Sequence, residues 1–177
     1  QGTAGLEIAQ QLNSLERELD MFFCCCGGGG LMAGTALALS EHFRQAKLYT
    51  VEPDGLDDTA RSLAAGKRQT NDPSARSICD AIVTPSPGLL TFPILQSMAA
   101  GGKVVTDEEA LSAMKTAWDY FKLTVEPGGA VALAASLKQE VIASHTGDKR
   151  KTVVAILSGG NCDQDIFAQA LAAPTLI

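Results

Sequence analysis

Short apolar runs alternate with segments of helical periodicity along the 177-residue chain. The apolar runs that predict strands cover residues 21–26, 47–51, 103–105 and 151–157. The last run has no alternation of apolar and polar residues, a pattern typical of a parallel strand buried on both faces. Because helical segments separate the runs, the sequence predicts one α/β domain with three αβα layers and a mainly parallel sheet.

The best-defined predicted helix begins after Thr106. Thr106 and Glu109 have the spacing of a capping box, in which each side chain accepts a hydrogen bond from the other residue's backbone N–H group. The apolar and aromatic residues that follow share one helical face and are Leu111, Met114, Trp118 and Phe121. We expect this stripe to pack in the core rather than to bind a ligand.

Composition and charge narrow the set of partners. With 46% hydrophobic residues the chain can bury one sizeable core, and its net charge of −6 comes without the Lys/Arg clusters that attract nucleic acid. No apolar run approaches the roughly 20 residues that a membrane span needs, and no leader-like segment opens the chain. We therefore expect a cytoplasmic protein that binds neither nucleic acid nor membranes.

Five cysteines are present, and three of them are consecutive at Cys24–Cys26. Adjacent cysteines suit neither a disulfide framework nor the spaced pairs of a metal site. Because they fall within a predicted central strand, we expect them to be reduced and to serve as small, buried apolar residues.

Glycine-rich turns follow two of the predicted strands, at Gly27–Gly30 and at Gly159–Gly160. In open parallel sheets, ligands bind beyond the carboxyl ends of the strands, so both turns should face one crevice. Four successive glycines let backbone N–H groups converge, and the next helix directs the positive end of its dipole to the same place. The first turn predicts a phosphate site. Glycines that only permit a sharp turn and close packing are the alternative.

The same loop also fits a competing interpretation. Gly28-x-Gly30-x-x-Ala33 matches the dinucleotide fingerprint, and Glu52 lies 22 residues beyond Gly30, where a ribose-binding acid would stand. These local features leave open an NAD-binding Rossmann domain of a dehydrogenase. A non-catalytic binding module is a third hypothesis.

Five phrases distributed over nearly the whole chain carry a family resemblance. They are QGTAGLEI (1–8), GGGGLMAG (27–34), VEP (51–53), VEPGGA (125–130) and LSGGN (157–161). In this order they resemble the pyridoxal-phosphate-dependent threonine/serine dehydratases and serine racemases, a family of fold type II. Five ordered phrases match by chance far less easily than one short fingerprint, so the resemblance favours pyridoxal phosphate over NAD.

The resemblance implies roles for particular residues. Backbone N–H groups are expected to hold the cofactor phosphate at Gly27, Gly28, Gly29, Gly30 and Leu31. The hydroxyl of Ser158 is expected to meet the pyridine nitrogen, and Glu126 to lie near the cofactor ring. Considered alone, Ser158 also fits an ordinary solvent-facing turn, and Glu126 fits an ordinary helix start.

The resemblance also implies a divalent cation, held by the carboxylates of Glu52 and Asp58 and the backbone carbonyl of Leu56. Hard oxygen ligands of this kind suit Mg²⁺ or Ca²⁺. The alternative is that these residues only cap a helix with an acidic first turn.

The chain departs from the family in two respects. Asp80-Ala81 stands where many relatives carry Asp-Gly, and no lysine lies in a phrase like Ser-x-Lys-x-Arg-Gly, which holds the family's reactive lysine. The lysines are Lys47, Lys67, Lys103, Lys115, Lys122, Lys138, Lys149 and Lys151. We therefore expect residues 1–177 to be a single cofactor-binding large-domain fragment with no catalytic residue of its own. The Schiff-base lysine is expected in an N-terminal portion of a longer protein.

For that longer protein, the resemblance implies an ammonia-lyase that eliminates water from L-threonine or L-serine to give a 2-oxo acid and ammonia. Its substrate would be a small amino acid, and the fragment alone should be inactive. A cofactor platform without its other segments would expose apolar surface, so we also expect a homo-oligomer.

Overall fold

The computed structural model describes residues 1–143 and 150–177, so Lys149 lies outside the described residues. In chain order the elements are α1 (Gly2–Ser14), β1 (Met21–Cys25), α2 (Gly30–His42), β2 (Lys47–Pro53), α3 (Asp58–Ala65), α4 (Phe92–Met98), β3 (Gly101–Val105), α5 (Asp107–Thr116), α6 (Pro127–Ser136), α7 (Gln139–Ala143), β4 (Val153–Ala155) and α8 (Gln164–Ala172). Across the described ranges, no helix combines the length and the apolar character needed to cross a membrane.

The four strands form one parallel sheet in the order β3-β2-β1-β4. In β1, Phe23 pairs with Tyr49 of β2 on one side and with Ala155 of β4 on the other. The chain builds the sheet from β1 through β2 to β3, and then returns to the opposite side of β1 for β4. This arrangement confirms the predicted α/β class. It also creates a topological switch point between β1 and β4.

Alternate residues of β1 face two separate halves of the core. Phe22 and Cys24, together with Cys26 just beyond the strand, pack with α1, α2 and α4, whereas the odd-numbered residues from Met21 to Cys25 pack with α5, α6 and α8. Helices therefore cover both faces of the sheet, as a three-layer αβα fold requires. The three consecutive cysteines form no disulfide bond and are buried, as expected for small apolar residues of a central strand.

The capping box is present at the start of α5. Thr106 Oγ1 accepts the Glu109 N–H at 3.2 Å, and Glu109 Oε2 accepts the Thr106 N–H at 2.9 Å. The expectation that this stripe packs in the core is confirmed for Leu111 and Met114 and is wrong for Trp118 and Phe121. A π-helical turn over Ala117–Phe121 changes the helical phase, and Trp118 and Phe121 are 37% and 55% exposed.

Candidate cofactor-binding site

A cavity of about 320 Å³ opens at the switch point, beyond the carboxyl ends of β1 and β4. Its walls combine the loop after β1, the turn after β4, the start of α6 and part of the long loop between α3 and α4. The lining residues that the sequence singled out are Gly27, Gly28, Gly29, Gly30, Leu31, Glu126 and Ser158. The fold thus brings to one cavity every residue expected to hold the phosphate or face the ring.

Two glycines of the loop are required by the packing of the protein itself. A Cβ atom on Gly27 would lie 2.9 Å from the carbonyl oxygen of Ile82, and one on Gly29 would lie 2.9 Å from Leu95 Cδ1 and from Thr91 Oγ1. Gly29 also has a φ of +85°, in the left-handed region that favours glycine. The loop is therefore held closely against the rest of the chain at these two positions.

The other two glycines leave open space in front of the loop. A Cβ atom on Gly28 or Gly30 would meet no atom within 4 Å, although both residues border the cavity. Contacts within the protein therefore do not require glycine at positions 28 and 30. A ligand that lies directly against the backbone would require it, because a side chain would occupy the ligand's space. Helix α2 begins at Gly30 with no side-chain cap, so its first N–H groups face an anion-binding position. These features fit a phosphate group.

Ser158 borders the same cavity, shortly after β4 ends. Its hydroxyl oxygen lies 3.1 Å from Cys25 Sγ, and its backbone N–H donates to the carbonyl of Gly129 at 3.4 Å. Both its side chain and its backbone are therefore held by other elements. Ser158 is nevertheless exposed, so these contacts fix its position at the cavity without burying it.

Glu126 stands at the N-terminus of α6 and packs over the turn that follows β4. Its backbone N–H donates to the carbonyl of Gly159 at 3.0 Å. A Cβ atom on Gly159 would collide with the Glu126 carboxylate, so glycine at 159 makes room for this side chain. Glu126 is thus both a helix-start residue and part of the cavity wall.

Four cavity residues were not predicted from the sequence as part of the site, namely Gln1, Cys25, Ile82 and Thr84, and Ala81 was noted only as a departure from the family. Cys25 carried a usable signal, because it is the last residue of a strand that leads into the glycine loop. Ala81 replaces the family's glycine without backbone strain. In the described part of the chain, positive φ values at non-glycine residues occur at Glu16 and Lys122.

Glu52, the candidate ribose-binding acid, is fully buried. Its carboxylate accepts the backbone N–H of Thr59 at 2.8 Å and of Ala60 at 2.7 Å, in the first turn of α3. Burial raises the pKa of Glu52 to about 8, against the effect of these hydrogen bonds. A ribose-binding acid must present its oxygens to a ligand, so the structure gives the NAD-binding interpretation no support.

The expected cation ligands surround the same helix start. Asp58 Oδ1 accepts a hydrogen bond from Asn71 at 2.5 Å, whereas the buried Oδ2 has no partner. Burial raises the pKa of Asp58 to about 6. An unpartnered carboxylate oxygen suits a cation, but both Glu52 oxygens already accept N–H groups. Within residues 1–143 and 150–177, no cluster of three His, Cys, Asp or Glu side chains could hold a metal ion. The cation site therefore stays a prediction.

The chain is similar over 97% of its length to the serine racemase of Dictyostelium discoideum, with 39% identity across 174 residues. The solved structure of the threonine deaminase of T.th. superposes on 92% of the chain with a TM-score of 0.81 and 36% identity. Processed threonine deaminase isoform 2 of Solanum lycopersicum superposes on 97% with a TM-score of 0.85 and 29% identity. The chain covers 51%, 57% and 48% of these proteins, respectively, so it spans about half the length of the curated relatives it matches.

A family model described as pyridoxal-phosphate dependent enzyme matches residues 1–159. The matched range contains all four strands, the glycine loop, Glu126 and Ser158. The match extends over most of the chain and agrees with the superposed structures. The chain therefore belongs to the pyridoxal-phosphate-dependent enzymes of fold type II.

Proposed function

We propose that the protein carrying this chain is an ammonia-lyase that eliminates water from L-threonine or L-serine, giving a 2-oxo acid and ammonia. One observation carries the proposal: the glycine loop after β1 and Ser158 after β4 border a single cavity. The loop suits the phosphate of pyridoxal phosphate, and the serine suits a contact with the pyridine nitrogen.

In this proposal each feature of the cavity has a separate task. The backbone N–H groups of Gly27–Leu31 bind the phosphate, and the dipole of α2 favours its negative charge. Ser158 binds the pyridine nitrogen through its hydroxyl, and Glu126 lies beside the ring. When bound, pyridoxal phosphate supplies an electron-accepting ring that stabilises negative charge at the substrate's α-carbon. A neutral hydroxyl does not enforce ring protonation as a carboxylate would, which favours elimination over transamination.

The reactive base is proposed to lie outside residues 1–177. No lysine of this chain stands in a Ser-x-Lys-x-Arg-Gly phrase, and the chain spans about half the length of its relatives. We assign the Schiff-base lysine and the loop that binds the substrate carboxylate to an N-terminal portion of the full-length protein. Residues 1–177 then form the large, cofactor-holding domain and should be inactive alone.

Racemisation of serine is a second candidate reaction. It is favoured by the similarity to the Dictyostelium discoideum serine racemase, just as elimination is favoured by the similarity to the threonine deaminase of T.th.. Both reactions remove the α-proton of a hydroxy amino acid. They differ in whether a proton returns to the opposite face or the β-hydroxyl leaves, so a direct assay of products must separate them.

The full-length protein, loaded with pyridoxal phosphate, is expected to release 2-oxo acid and ammonia from L-threonine and L-serine. Enzymatic reduction of the 2-oxo acid measures elimination, and chiral chromatography measures D-serine. Ser158→Ala is expected to lower kcat/KM about tenfold, the effect of one lost hydrogen bond of about 1.4 kcal/mol. If the protein releases D-serine and no 2-oxo acid, its reaction is racemisation and the proposal of elimination is wrong. Turnover by residues 1–177 alone would refute the assignment of the lysine.

A divalent cation at Glu52, Leu56 and Asp58 is a separate proposal, supported by the unpartnered Asp58 oxygen. At a Mg²⁺ or Ca²⁺ concentration 100 times Kd, binding would add about 2.7 kcal/mol of stability, which raises Tm by about 5 °C or more. Calorimetry of the full-length protein is expected to show this rise, and Asp58→Asn should abolish it. Asp72→Asn, at an exposed carboxylate, is the matched control. Equal rises in native protein and Asp58→Asn would exclude the site.

A cytoplasmic location and a homo-oligomeric state complete the proposal. The oligomer is supported by exposed apolar side chains, including Leu89 and Leu90, which are 74% and 86% exposed.

A further inference from the structure

Cys25 is the one member of the Cys24–Cys26 run that borders the proposed cofactor cavity. Its Sγ lies 3.1 Å from Ser158 Oγ, because the parallel pairing of β1 with β4 brings their carboxyl ends side by side. Cys24 and Cys26 face the opposite half of the core, where Cys26 Sγ donates to Thr59 Oγ1 at 3.5 Å. The contact with Ser158 is therefore specific to position 25.

We infer that Cys25 is a positioning residue for Ser158: its thiol donates the S–H to Ser158 Oγ and thereby directs the serine O–H into the cavity. The inference rests on the proposed contact between Ser158 and the pyridine nitrogen. A hydroxyl has one donor and two acceptor sites. When the thiol fills one acceptor site, the serine proton is free to bind a neutral, accepting ring nitrogen.

Ionisation of Cys25 reverses this arrangement. A thiolate can only accept, so Ser158 donates its proton to Sγ and turns a lone pair toward the cavity. A lone pair at that place favours a protonated ring nitrogen over a neutral one. The charge on Cys25 thus sets which form of the ring Ser158 prefers, although Cys25 itself acts through the serine.

The surroundings of Cys25 allow this ionisation near neutral pH. The neighbouring Cys24, whose Sγ donates to the Cys25 carbonyl at 3.3 Å, lowers the pKa of the Cys25 thiol to about 7; burial opposes the effect, and the Ser158 hydroxyl, 3.1 Å from Sγ, supports it. The other titratable groups that act electrostatically on Cys25 are Cys79 and Glu126 on its own side of the sheet and Cys24 and Cys26 on the opposite side. A hydrogen bond with Cys25 raises the pKa of Cys24, and burial raises those of Cys26 and Cys79. These three thiols therefore stay protonated while Cys25 titrates, and the Glu126 carboxylate opposes the thiolate.

The first measurement uses the cofactor-free full-length protein and follows thiolate formation by ultraviolet absorption between about pH 5 and pH 9. Cys25→Ser should remove the transition and so assign it. Ser158→Ala should raise the midpoint by at least about 0.5, because the thiolate loses a donor. Cys162→Ser, at a partly exposed thiol that does not line this cavity, is the matched control. An unchanged midpoint in Ser158→Ala overturns the inference.

The second measurement follows the absorption spectrum of bound pyridoxal phosphate in the holoenzyme over the same pH range. The native protein should show a transition whose midpoint matches that of the Cys25 thiol. Cys25→Ser still donates a hydrogen bond but does not ionise, so it should lose the transition and keep its cofactor affinity within about twofold. Cys25→Ala should weaken the affinity about fivefold.

The two measurements separate the inference from the proposed function. A native-like spectral transition in Cys25→Ser overturns the positioning role. If the native full-length protein does not bind pyridoxal phosphate, the proposed function is overturned instead. The thiol titration in Ser158→Ala then decides whether the Cys25–Ser158 hydrogen bond exists.

Discussion

Replacing Gly28 with aspartate is expected to lower the affinity for pyridoxal phosphate about a thousandfold. Gly28 borders the cavity, and a Cβ atom there would meet no protein atom within 4 Å. A carboxylate at this position would lie beside the phosphate and compete for the N–H groups at the start of α2. Unit charges about 4 Å apart repel by about 4 kcal/mol at an effective dielectric constant of about 20, which corresponds to about three powers of ten in Kd.

Gly28→Asn is the matched control, because it adds a side chain of nearly the same shape without the charge. We expect it to weaken binding much less than Gly28→Asp. Without cofactor, both variants should unfold near the native Tm, since Gly28 has no positive φ and its side-chain space is open. Fluorescence titration measures the affinity and calorimetry the Tm. Native-like affinity in Gly28→Asp would show that the phosphate binds elsewhere.

Replacing Gly129 with alanine is expected to lower the free energy of unfolding by about 1–3 kcal/mol and to displace Ser158. In an ordinary helix interior the same change stabilises by about 1 kcal/mol. Here the new Cβ atom would lie 2.8 Å from both the N and the O of Gly159, so backbone rather than a flexible side chain must move. Ser158 donates to the Gly129 carbonyl and should shift with the turn, which also weakens cofactor binding.

The neighbouring variant Gly128→Ala provides the control within the same helix. A Cβ atom on Gly128 would have its nearest contacts at 3.4 Å from Ile82 Cγ1 and 3.5 Å from Ala81 Cβ, which are ordinary van der Waals distances. We expect Gly128→Ala to be neutral or stabilising. Chemical denaturation measures both variants. If Gly129→Ala is as stable as Gly128→Ala, α6 does not pack on the Ser158 turn as described.

The elements that local sequence predicted well are those that depend on neighbouring residues. The capping box of Thr106 and Glu109 is present as expected, since both partners lie within one helical turn. The strand predicted over residues 151–157 is shorter in the structure than the sequence indicated: β4 covers only Val153–Ala155. Among the described strands β4 pairs with β1 alone, so fewer ladder hydrogen bonds extend it. Burial of Trp118 was wrongly predicted because helical periodicity does not foresee a π-helical turn.

The candidate site was predicted in part. The glycine loop and Ser158 were identifiable because each lies in a contiguous phrase at the end of a predicted strand. The contributions of Ala81 and Ile82 could not be predicted. Both lie in a short 3-10 helix (Asp80–Ile82) within the long segment between α3 and α4, and its position depends on packing against Gly27 and Gly128. No local pattern encodes which segment of such a loop approaches the sheet.

By itself, the sequence determined the α/β class, the parallel sheet, the position of the glycine loop at Gly27–Gly30 and the family resemblance. These depend on hydrophobic periodicity and on short contiguous phrases. Only the tertiary structure decided that Cys25, and neither of its neighbouring cysteines, meets Ser158, and that the Glu52 carboxylate caps α3. Strand register selects the face on which each β1 side chain lies, and helix packing decides which carboxylate oxygens are already hydrogen-bonded. Strand register and helix packing both depend on contacts between residues that are far apart in the chain.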